Sequence, residues 1–215
     1  MRSRALLLTF ALAAVCRAEI IDRIAVTVGR RVITQSDILM EIRLSAFMNQ
    51  SEPDFGAAPR KKTAERLVER ALLENEMEIG NYPTPTPAEV QKQLDTFKKE
   101  RFPTEDAFRK ALARYGITEE ELRRYLSEQL AVLRFIDARF GPGVQILDAD
   151  VRDYYDEHFV KEWENKSGRP APSLDEVRPQ IEDILRERQV DRLMNNWLKE
   201  ARERTRIDYQ PEAFR

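Results

Sequence analysis

Few side chains in this sequence are suited to catalysis or to metal binding. His158 is the only histidine among 215 residues, and its neighbours are Tyr154, Tyr155 and Glu157 rather than a second histidine or a cysteine. A general base or a metal ligand works with partners of defined type and spacing. We therefore expect His158 to be an ordinary helix residue rather than part of a catalytic or metal site.

Three aspartates, Asp148, Asp150 and Asp153, are the best candidates for binding a cation. They lack the loop spacing and the glycine of a calcium site, and a helix start with Asp148 as its N-cap explains them better. The sequence also contains no nucleophile elbow, P-loop or dinucleotide fingerprint. We expect no catalytic residue, no cofactor and no bound metal.

The single cysteine and the charge balance restrict the partners further. Cys16 lies near the N-terminus, so the rest of the chain has no thiol for a disulfide or a thiolate metal site. Residues 1–18 contain three arginines and no acid, and without them 33 basic residues stand against 38 acidic ones, a net charge of −5. Nucleic-acid-binding proteins usually present a basic patch, so we expect no nucleic-acid partner.

Residues 1–18 have the pattern of a cleavable signal peptide. Two arginines precede the apolar stretch 5–15, which is too short to span a bilayer, and we expect cleavage after Ala18. A lipoprotein would be modified at Cys16, but the valine before that cysteine disfavours lipidation. The chain is therefore predicted to be exported, and no later apolar run is long enough to cross a membrane.

Methionine and aromatic side chains form the one set that suggests binding. Several lie on or after the first helix, partly off its apolar line of Ile38, Ile42 and Ala46, and others lie around the middle helices. Each could belong to a core. Together they could instead form an adaptable groove, because such side chains repack around varied sequences. The candidate residues for binding another polypeptide are Met40, Phe47, Met48, Phe55, Phe97 and Phe102.

The elements that would position these side chains are mainly helices. Residues 22–34 alternate like a short β-hairpin, with Gly29 in its turn. Residues 206–209 also alternate but have no neighbouring strand in sequence, so we expect them to pair with the hairpin. The fold class is therefore all-α, with a small sheet that joins the two ends of the chain. Capping patterns predict helix starts at Thr34, Thr86, Thr118 and Ser173.

Apolar spacing gives the details of three helices. A helix over roughly 61–79, after a loop at 50–60, should bury a stripe that includes Ile79 and should stop at 80–81. The last helix contains Pro179, so either its regular part begins there or it kinks. With about 30 residues it would be roughly 45 Å long, which predicts an elongated molecule. Between them, another helix should bury Leu122, Leu126, Leu130, Leu133 and Phe140.

In order and spacing, these segments resemble the chaperone core of SurA-type proteins, which are related to the parvulin foldases. Residues 20–38 are similar to the strand, turn, strand and capped helix that begin this core, with Gly29 where the family usually has asparagine. The resemblance continues in TPTPAEV and in three longer segments: LVERALLENEMEIG, FPTEDAFRKALARYGITEEELRRYLSEQL and SLDEVRPQIEDILRERQVDRLMNNWLKEARERTRIDY.

The resemblance implies that residues 19–165 form a SurA-like N-terminal domain and that residues 173–210 pack back on it. In that family, one or two isomerase domains precede the final helix. Here only about a dozen residues, from Val160 to Pro172, occupy this place, whereas such a domain needs on the order of a hundred. We therefore expect 166–172 to be a linker where the isomerase domain would sit.

The implied function is that of an ATP-independent periplasmic chaperone that binds unfolded clients, outer-membrane proteins in particular, without isomerase activity. The sequence leaves two alternatives open. One is a residual prolyl isomerase of the same family, and the other is an assembly subunit that binds one folded partner. A homodimer would also be compatible with the sequence, because the linker 166–172 would allow helices to swap between copies.

Overall fold

The computed structural model describes residues 22–214, which contain eight α-helices and three short strands. The predictions about the signal peptide, its cleavage after Ala18 and Cys16 fall outside this range. The mainly helical fold is confirmed. Its elements are β1 (Ile24–Val28), β2 (Arg31–Thr34), α1 (Gln35–Asn49), α2 (Ala57–Gly80), α3 (Pro87–Arg101), α4 (Glu105–Tyr115), α5 (Glu119–Phe140), α6 (Asp148–Tyr154), α7 (Val160–Ser167), α8 (Leu174–Arg204) and β3 (Ile207–Tyr209).

The three strands form one antiparallel sheet in the order β2-β1-β3. β3 lies beside β1, with Val26 opposite Tyr209 and Val28 opposite Ile207. The predicted pairing of the C-terminal strand with the N-terminal hairpin is therefore confirmed. β3 pairs with β1 because the backbone groups of a lone strand need hydrogen-bond partners.

The hairpin of β1 and β2 departs from the simple alternation that its sequence predicts. Gly29 supplies a positive φ of 58° in the two-residue turn. The pairing then shifts between Ile24 and Val26, which indicates a β-bulge. Because of the extra residue, Ala25 and Val26 are both buried, whereas Ile24 is 44% exposed; Val32 on β2 is 50% exposed.

The predicted helix starts are confirmed because cap side chains bond the free N–H groups of the first turn. Thr34, Thr86 and Thr118 accept hydrogen bonds from the third residue of α1, α3 and α5, at 3.2–3.4 Å. α8 follows a related pattern, in which the Glu176 carboxylate accepts the N–H of Ser173 at 2.8 Å. Local polar signals therefore set these four starts.

The start of α6 corrects a prediction by one residue. α6 begins at Asp148 itself, and the preceding Leu147 donates its N–H to the Asp150 carboxylate at 3.1 Å. Asp148 pairs instead with Arg178 on α8, at 2.7 Å. The start of α6 therefore accounts for the position of Asp150, and the ion pair with Arg178 accounts for that of Asp148.

Two positions that were predicted to be buried are exposed. Ile79, in the last turn of α2, is 84% exposed, and Leu133 in α5 is 62% exposed. α2 stops at 80–81 as expected but begins at Ala57, so residues 57–60 are helical rather than part of a loop. Its last turn extends beyond the core. Leu133 lies where α5 passes from one core to the next, and it belongs to neither.

Three groups of buried side chains hold the helices together. The sheet core packs the sheet against α1, α2 and the C-terminal halves of α5 and α8, and it includes Val26, Val28, Ile38, Val68, Phe135 and Leu198. The aromatic cluster joins the end of α1 to α3, α4 and the start of α5, and it includes Leu44, Phe47, Leu94, Phe97, Phe108 and Leu126. The arm cluster consists of Val151, Tyr154, Phe159, Val177 and Ile181.

α8 links two of these cores. Its first half contributes Val177 and Ile181 to the arm cluster, and its second half contributes Leu198 and Ala201 to the sheet core. The helix begins before Pro179 and continues through it. At 1.5 Å per residue, its 31 residues span about 46 Å. None of the helices in residues 22–214 is both long and apolar enough to cross a membrane.

The segment that was predicted as a linker, 166–172, connects α7 to α8. α7 extends to Ser167, and Gly168 ends it with a positive φ of 65°. A π-helical turn joins α6 to α7. From this turn, Tyr155 donates its hydroxyl to the carbonyl of Pro172 at 2.7 Å. The short connection therefore folds α6 and the π-helical turn back against the first half of α8.

Candidate client-binding groove

Two of the predicted binding residues lie in the interior of the protein. Phe47 is 1% exposed and Phe97 is 7% exposed, so neither is available to another polypeptide in this structure. The hypothesis of a surface role for these two side chains is therefore corrected: they hold α1 against α3 and α4. The ring of Phe47 lies with its centroid 5.5–6.2 Å from those of Phe97, Phe102, Phe108 and Tyr115.

The other four predicted residues are partly buried. Phe102 and Met48 pack on the aromatic cluster. Phe55 packs on the sheet core, with the Arg43 guanidinium 5.8 Å from the centre of its ring. Met40 packs on the aromatic cluster and also lines an open groove. The predicted set therefore does not form one surface, and Met40 is its member at the groove.

A shallow cavity of about 380 Å³ lies over the aromatic cluster. Its lining includes Phe47 and Phe102 together with the exposed side chains of Lys110 and Arg114. Since Phe47 is almost fully buried, the cavity offers less apolar surface than the groove on the other side of α1.

The groove lies between β2, α1, α2 and the first half of α5. It consists of two adjoining cavities of about 260 and 440 Å³, which share Arg31, Glu74 and Glu128. Its position follows from the helices around it, because the buried side chains of α1 and α5 in the aromatic cluster pack towards α3 and α4 and leave this side open. The apolar part of the lining includes Val32, Met40, Leu44, Leu67, Met77 and Tyr82.

Arg70 on α2 is paired on two sides within the groove. Its guanidinium lies 2.9 Å from the Glu41 carboxylate of α1 and 3.4 Å from the Glu128 carboxylate of α5. The Glu41 side chain is only 6% exposed, and a buried carboxylate without a partner is costly. The ring of Tyr125 lies 5.8 Å from the same guanidinium. Arg70 therefore holds three helices at a fixed separation.

Arg31 lies where the two cavities meet and connects the sheet to α2. Its guanidinium lies 3.0 Å from the Glu74 carboxylate and donates to the side-chain oxygen of Asn75 at 2.7 Å. It also pairs with Glu78. Arg31 is the first residue of β2 after the hairpin turn, so the register of the hairpin sets its position. Arg31 therefore ties one wall of the groove to the sheet.

Acidic groups outnumber basic groups in the lining of the groove, by six to three, which gives it a formal charge of −3. Burial raises the pKa of the Glu74 and Glu128 carboxyls, although nearby arginines oppose the shift. These two carboxylates would therefore gain from a further cation. The basic residues are Arg31, Arg70 and Arg124, and the acidic ones are Asp37, Glu41, Glu74, Glu78, Glu121 and Glu128.

The groove is suited to binding through apolar contacts, hydrogen bonds and ion pairs. Within the part of the chain that the structure describes, no group of three or more His, Cys, Asp or Glu side chains is arranged to hold a metal ion. His158 is exposed on the π-helical turn, with its ring centroid 5.3 Å from that of Tyr154. It lines a separate cavity beside α8, at a different place from the groove.

Arg31, Arg70, Glu74 and Glu128 are not among the site residues predicted from the sequence. A signal was present in α2, where Arg70 and Glu74 lie within the apolar stripe that continues from Leu67. Charged residues inside a stripe that will be buried require partners. The partner on α5 could not have been inferred, because Glu128 is 58 residues away in sequence and reaches Arg70 only through packing of α5 on α2.

Comparison with models of known protein families finds no match for this chain. Over 83 residues, the chain is 32% identical to a protein of Bifidobacterium longum subsp. longum that is named as a chaperone for lacto-N-biosidase. The similar region covers 38% of this chain and 29% of that protein, so the chain spans less than a third of its relative. Membership of the SurA-like family stays a prediction.

Proposed function

We propose that this protein is an ATP-independent periplasmic chaperone that holds unfolded client proteins, in particular outer-membrane proteins in transit, and has no prolyl isomerase activity. The partial likeness to a named chaperone supports the general role. The signal-like sequence of residues 1–18 supports export. The client class comes from the resemblance of the segment order to SurA-type chaperone cores.

The open groove is the observation that carries the proposal. A client segment within it would cover apolar side chains that are only partly buried in the free protein, among them Met40, Met77 and Tyr82. Buried apolar surface contributes about 25 cal/mol per Å², and association has its own entropic cost, so a groove of this size gives weak and reversible binding. Release of the client then needs no nucleotide.

The two methionines of the groove suit clients of varied sequence. Met40 lines one cavity and Met77 lines the other. A thioether side chain is flexible and polarisable, so it can adapt to different apolar partners. Such adaptation is what a chaperone with many clients requires.

Suppression of aggregation is the test of this function. A denatured outer-membrane barrel protein is diluted into ATP-free buffer with a near-equal molar amount of the purified exported protein, and light scattering is followed. We expect scattering to fall for several unrelated barrel clients. If no client is protected, the chaperone proposal is wrong.

A refolding assay addresses the isomerase alternative. A substrate protein whose refolding is limited by proline isomerisation is refolded with and without the purified protein. We expect the slow phase to keep its rate, because only residues 168–173 separate α7 from α8, where an isomerase domain would precede the last helix. Acceleration of this phase would favour the residual isomerase.

A dedicated chaperone or assembly subunit is the second candidate function. The relative's name refers to a chaperone for one enzyme, which favours a single partner over many clients. Crosslinking in intact cells followed by capture of the protein separates the two. One stoichiometric folded partner would support the dedicated role, whereas many unfolded outer-membrane proteins would support the general one.

Export has its own measurement. Fractionation of the producing cells should place the protein in the periplasm, and sequencing of its N-terminus should start at Glu19. A lipid attached to Cys16 or retention in the cytoplasm would contradict the proposed processing.

A further inference from the structure

We propose that the groove binds one extended client segment, whose backbone pairs with the free edge of β2 and whose lysine or arginine side chain lies between Glu74 and Glu128. The inference rests on the proposed chaperone function and adds the class of segment that the groove recognises. Three observations support it: the register of the hairpin, the position of the groove along β2, and the charge of the lining.

The register of the hairpin leaves backbone groups of β2 without a strand partner. In the sheet formed by residues 22–214, β2 is at the edge. Arg31 is opposite Val28 across the two-residue turn, and such a pair exchanges both of its hydrogen bonds. Val32 is the next residue, so its N–H and C=O are directed away from β1, towards the free edge.

The residue at the end of β2 supports this assignment. Alternate residues of a strand direct their backbone groups to the same side. Thr34, two residues after Val32, donates its N–H to the Asp37 carboxylate at 2.8 Å rather than to β1. The next ladder bond comes from Gln35, which donates to the carbonyl of Arg23 at 2.7 Å.

The groove runs along this edge. Arg31, Val32 and Ile33 all line it. Side chains of a strand alternate between its two faces, so three consecutive residues border one space only where that space follows the edge. An extended polypeptide in the groove could therefore hydrogen-bond to Val32 as an added strand.

The charge of the groove selects the side chain of the client. Glu74 and Glu128 both line the junction of the two cavities, and the charge of Glu74 adds to the burial that raises the pKa of Glu128. Arg70 does not fully compensate for the negative charge of Glu128, because its guanidinium is closer to Glu41, at 2.9 Å, than to Glu128, at 3.4 Å. A client ammonium or guanidinium group would provide the missing positive charge.

A second copy of this chain fits the groove less well than a basic client. Symmetric pairing of two β2 edges would bring two grooves together, and each carries a formal charge of −3. Facing surfaces of like charge oppose association. Charge complementarity therefore favours a positively charged, extended segment.

The first test measures the affinity of labelled apolar dodecapeptides that differ only in their central residue, which is lysine, glutamine or glutamate. Fluorescence anisotropy is recorded near pH 8 with the purified exported protein. We expect the lysine peptide to bind about ten-fold more tightly than the glutamine peptide, and the glutamate peptide to bind more weakly still. Equal affinities for lysine and glutamine peptides would overturn the proposal.

A pair of variants locates the charge effect. In Glu74→Gln/Glu128→Gln, we expect the affinity for the lysine peptide to fall about ten-fold and that for the glutamine peptide to change by less than about two-fold. The variant should fold, because Arg31 keeps Glu78 and Arg70 keeps Glu41.

The matched control for this variant is Glu65→Gln/Glu69→Gln. These two glutamates also share one arginine, Arg202, at 3.3 and 3.1 Å, but they do not line the groove. We expect the control to bind the lysine peptide within about two-fold of the wild type. An equal loss in both variants would mean general attraction to an acidic surface and would overturn the site.

Substitution of Val32 tests the backbone contact. Proline at an edge position removes the outward N–H without removing a ladder bond to β1. We expect Val32→Pro to weaken binding of all three peptides about five-fold, the value of one backbone hydrogen bond. Val32→Ala keeps the N–H and should bind within about two-fold of the wild type. If the alanine variant loses as much as the proline variant, strand addition is wrong.

Two further outcomes separate failure of the site from failure of the function. If the wild-type protein suppresses aggregation but the lysine peptide shows no preference, the groove is not the recognition site, although the chaperone proposal stands. If the protein forms dimers that Val32→Pro abolishes, β2 pairs with a second copy, and the client assignment of the edge is overturned. Size-exclusion chromatography across a concentration series measures the second outcome.

Discussion

The aromatic cluster and the groove are built from the same two helices, yet one is closed and the other is open. Residues Leu44 and Phe47 of α1 and Leu126 of α5 contribute to the aromatic cluster. Residues Glu41 of α1 and Glu128 of α5 line the groove. A few residues of helix therefore separate a packed interior from a space that another molecule can enter.

The difference lies in the helices that pack against α1 and α5 in each region. α3 and α4 bring phenylalanines to the aromatic cluster, and their burial favours close contact. α2 brings Arg70 and Glu74 to the groove. Closing the helices over these charges would remove them from water, which is costly even for paired groups. In the open groove the Glu74, Glu78 and Glu128 side chains stay 28%, 69% and 37% exposed, and these charges are available to select a partner.

The largest effect that would test this comparison is expected from Phe47→Ala. Removing a buried phenylalanine leaves a cavity, so we expect a loss of about 3–5 kcal/mol in the free energy of unfolding. Urea denaturation followed by circular dichroism measures it. The neighbouring Met48→Ala serves as control, since Met48 is only partly buried, and it should cost less than half as much. If Phe47→Ala kept its stability but lost client binding, Phe47 would be a surface residue, as first predicted from the sequence.

The fold was predictable where local signals act alone. The threonines at positions 34, 86 and 118 bond their own first turns, so their helix starts follow from a few adjacent residues. The meeting of β1 and β3 was also predictable, because the C-terminal strand had no other partner. The exposed Leu133 was not, because it depends on where α5 changes neighbours.

The site was less predictable, because it depends on which helices meet. Phe47 lies partly off the apolar line of Ile38 and Ile42, so the sequence is compatible both with a core position and with a binding surface. α1 is in fact buried on two sides, since Leu44 and Phe47 enter a second core. An aromatic side chain off the main apolar line can thus mark a second core as well as a binding surface.

A smaller effect is expected from Arg70→Met, on the groove side. This substitution removes the partner of the buried Glu41 carboxylate and should lower the free energy of unfolding by about 2–3 kcal/mol at neutral pH. The double variant Arg70→Met/Glu41→Leu removes both charges and should regain most of that loss, because apolar pairs often replace buried ion pairs without penalty. Urea denaturation of the single and double variants measures both. No recovery would mean that packing of the arginine stem, rather than its charge, holds α1 against α2.

The contributions of two carboxylates to stability, Glu128 in the groove and Glu89 at the start of α3, should depend on pH with opposite signs. Both effects should be smaller than that of Arg70→Met. Burial raises the pKa of Glu128 above 4.5, so its contribution to stability is present below that value and is lost as the pH rises through the folded pKa. The hydrogen bond from the Thr86 backbone N–H lowers the pKa of Glu89 from 4.5 to about 2, so its contribution is present above 4.5 and is lost as the pH falls towards 2.

Glutamine variants of these two residues measure that difference. Relative to the wild type, Glu128→Gln should gain stability as the pH rises from 4 to 7. Glu89→Gln should lose stability over the same rise. Denaturation at a series of pH values gives both slopes, and two slopes of the same sign would contradict the contrast between a buried groove carboxylate and an exposed cap carboxylate.

The smallest effect is expected at Leu133, where α5 passes from the aromatic cluster to the sheet core. Leu133 is 62% exposed and lies in neither core, so Leu133→Ser should change the free energy of unfolding by less than about 0.5 kcal/mol. Leu126→Ala, two turns earlier in the aromatic cluster, should cost about 2–5 kcal/mol and is the matched comparison. If Leu133→Ser keeps its stability but loses suppression of client aggregation, the client contacts extend beyond the groove along α5. If both properties are unchanged, the groove is the limit of the client-binding surface on this helix.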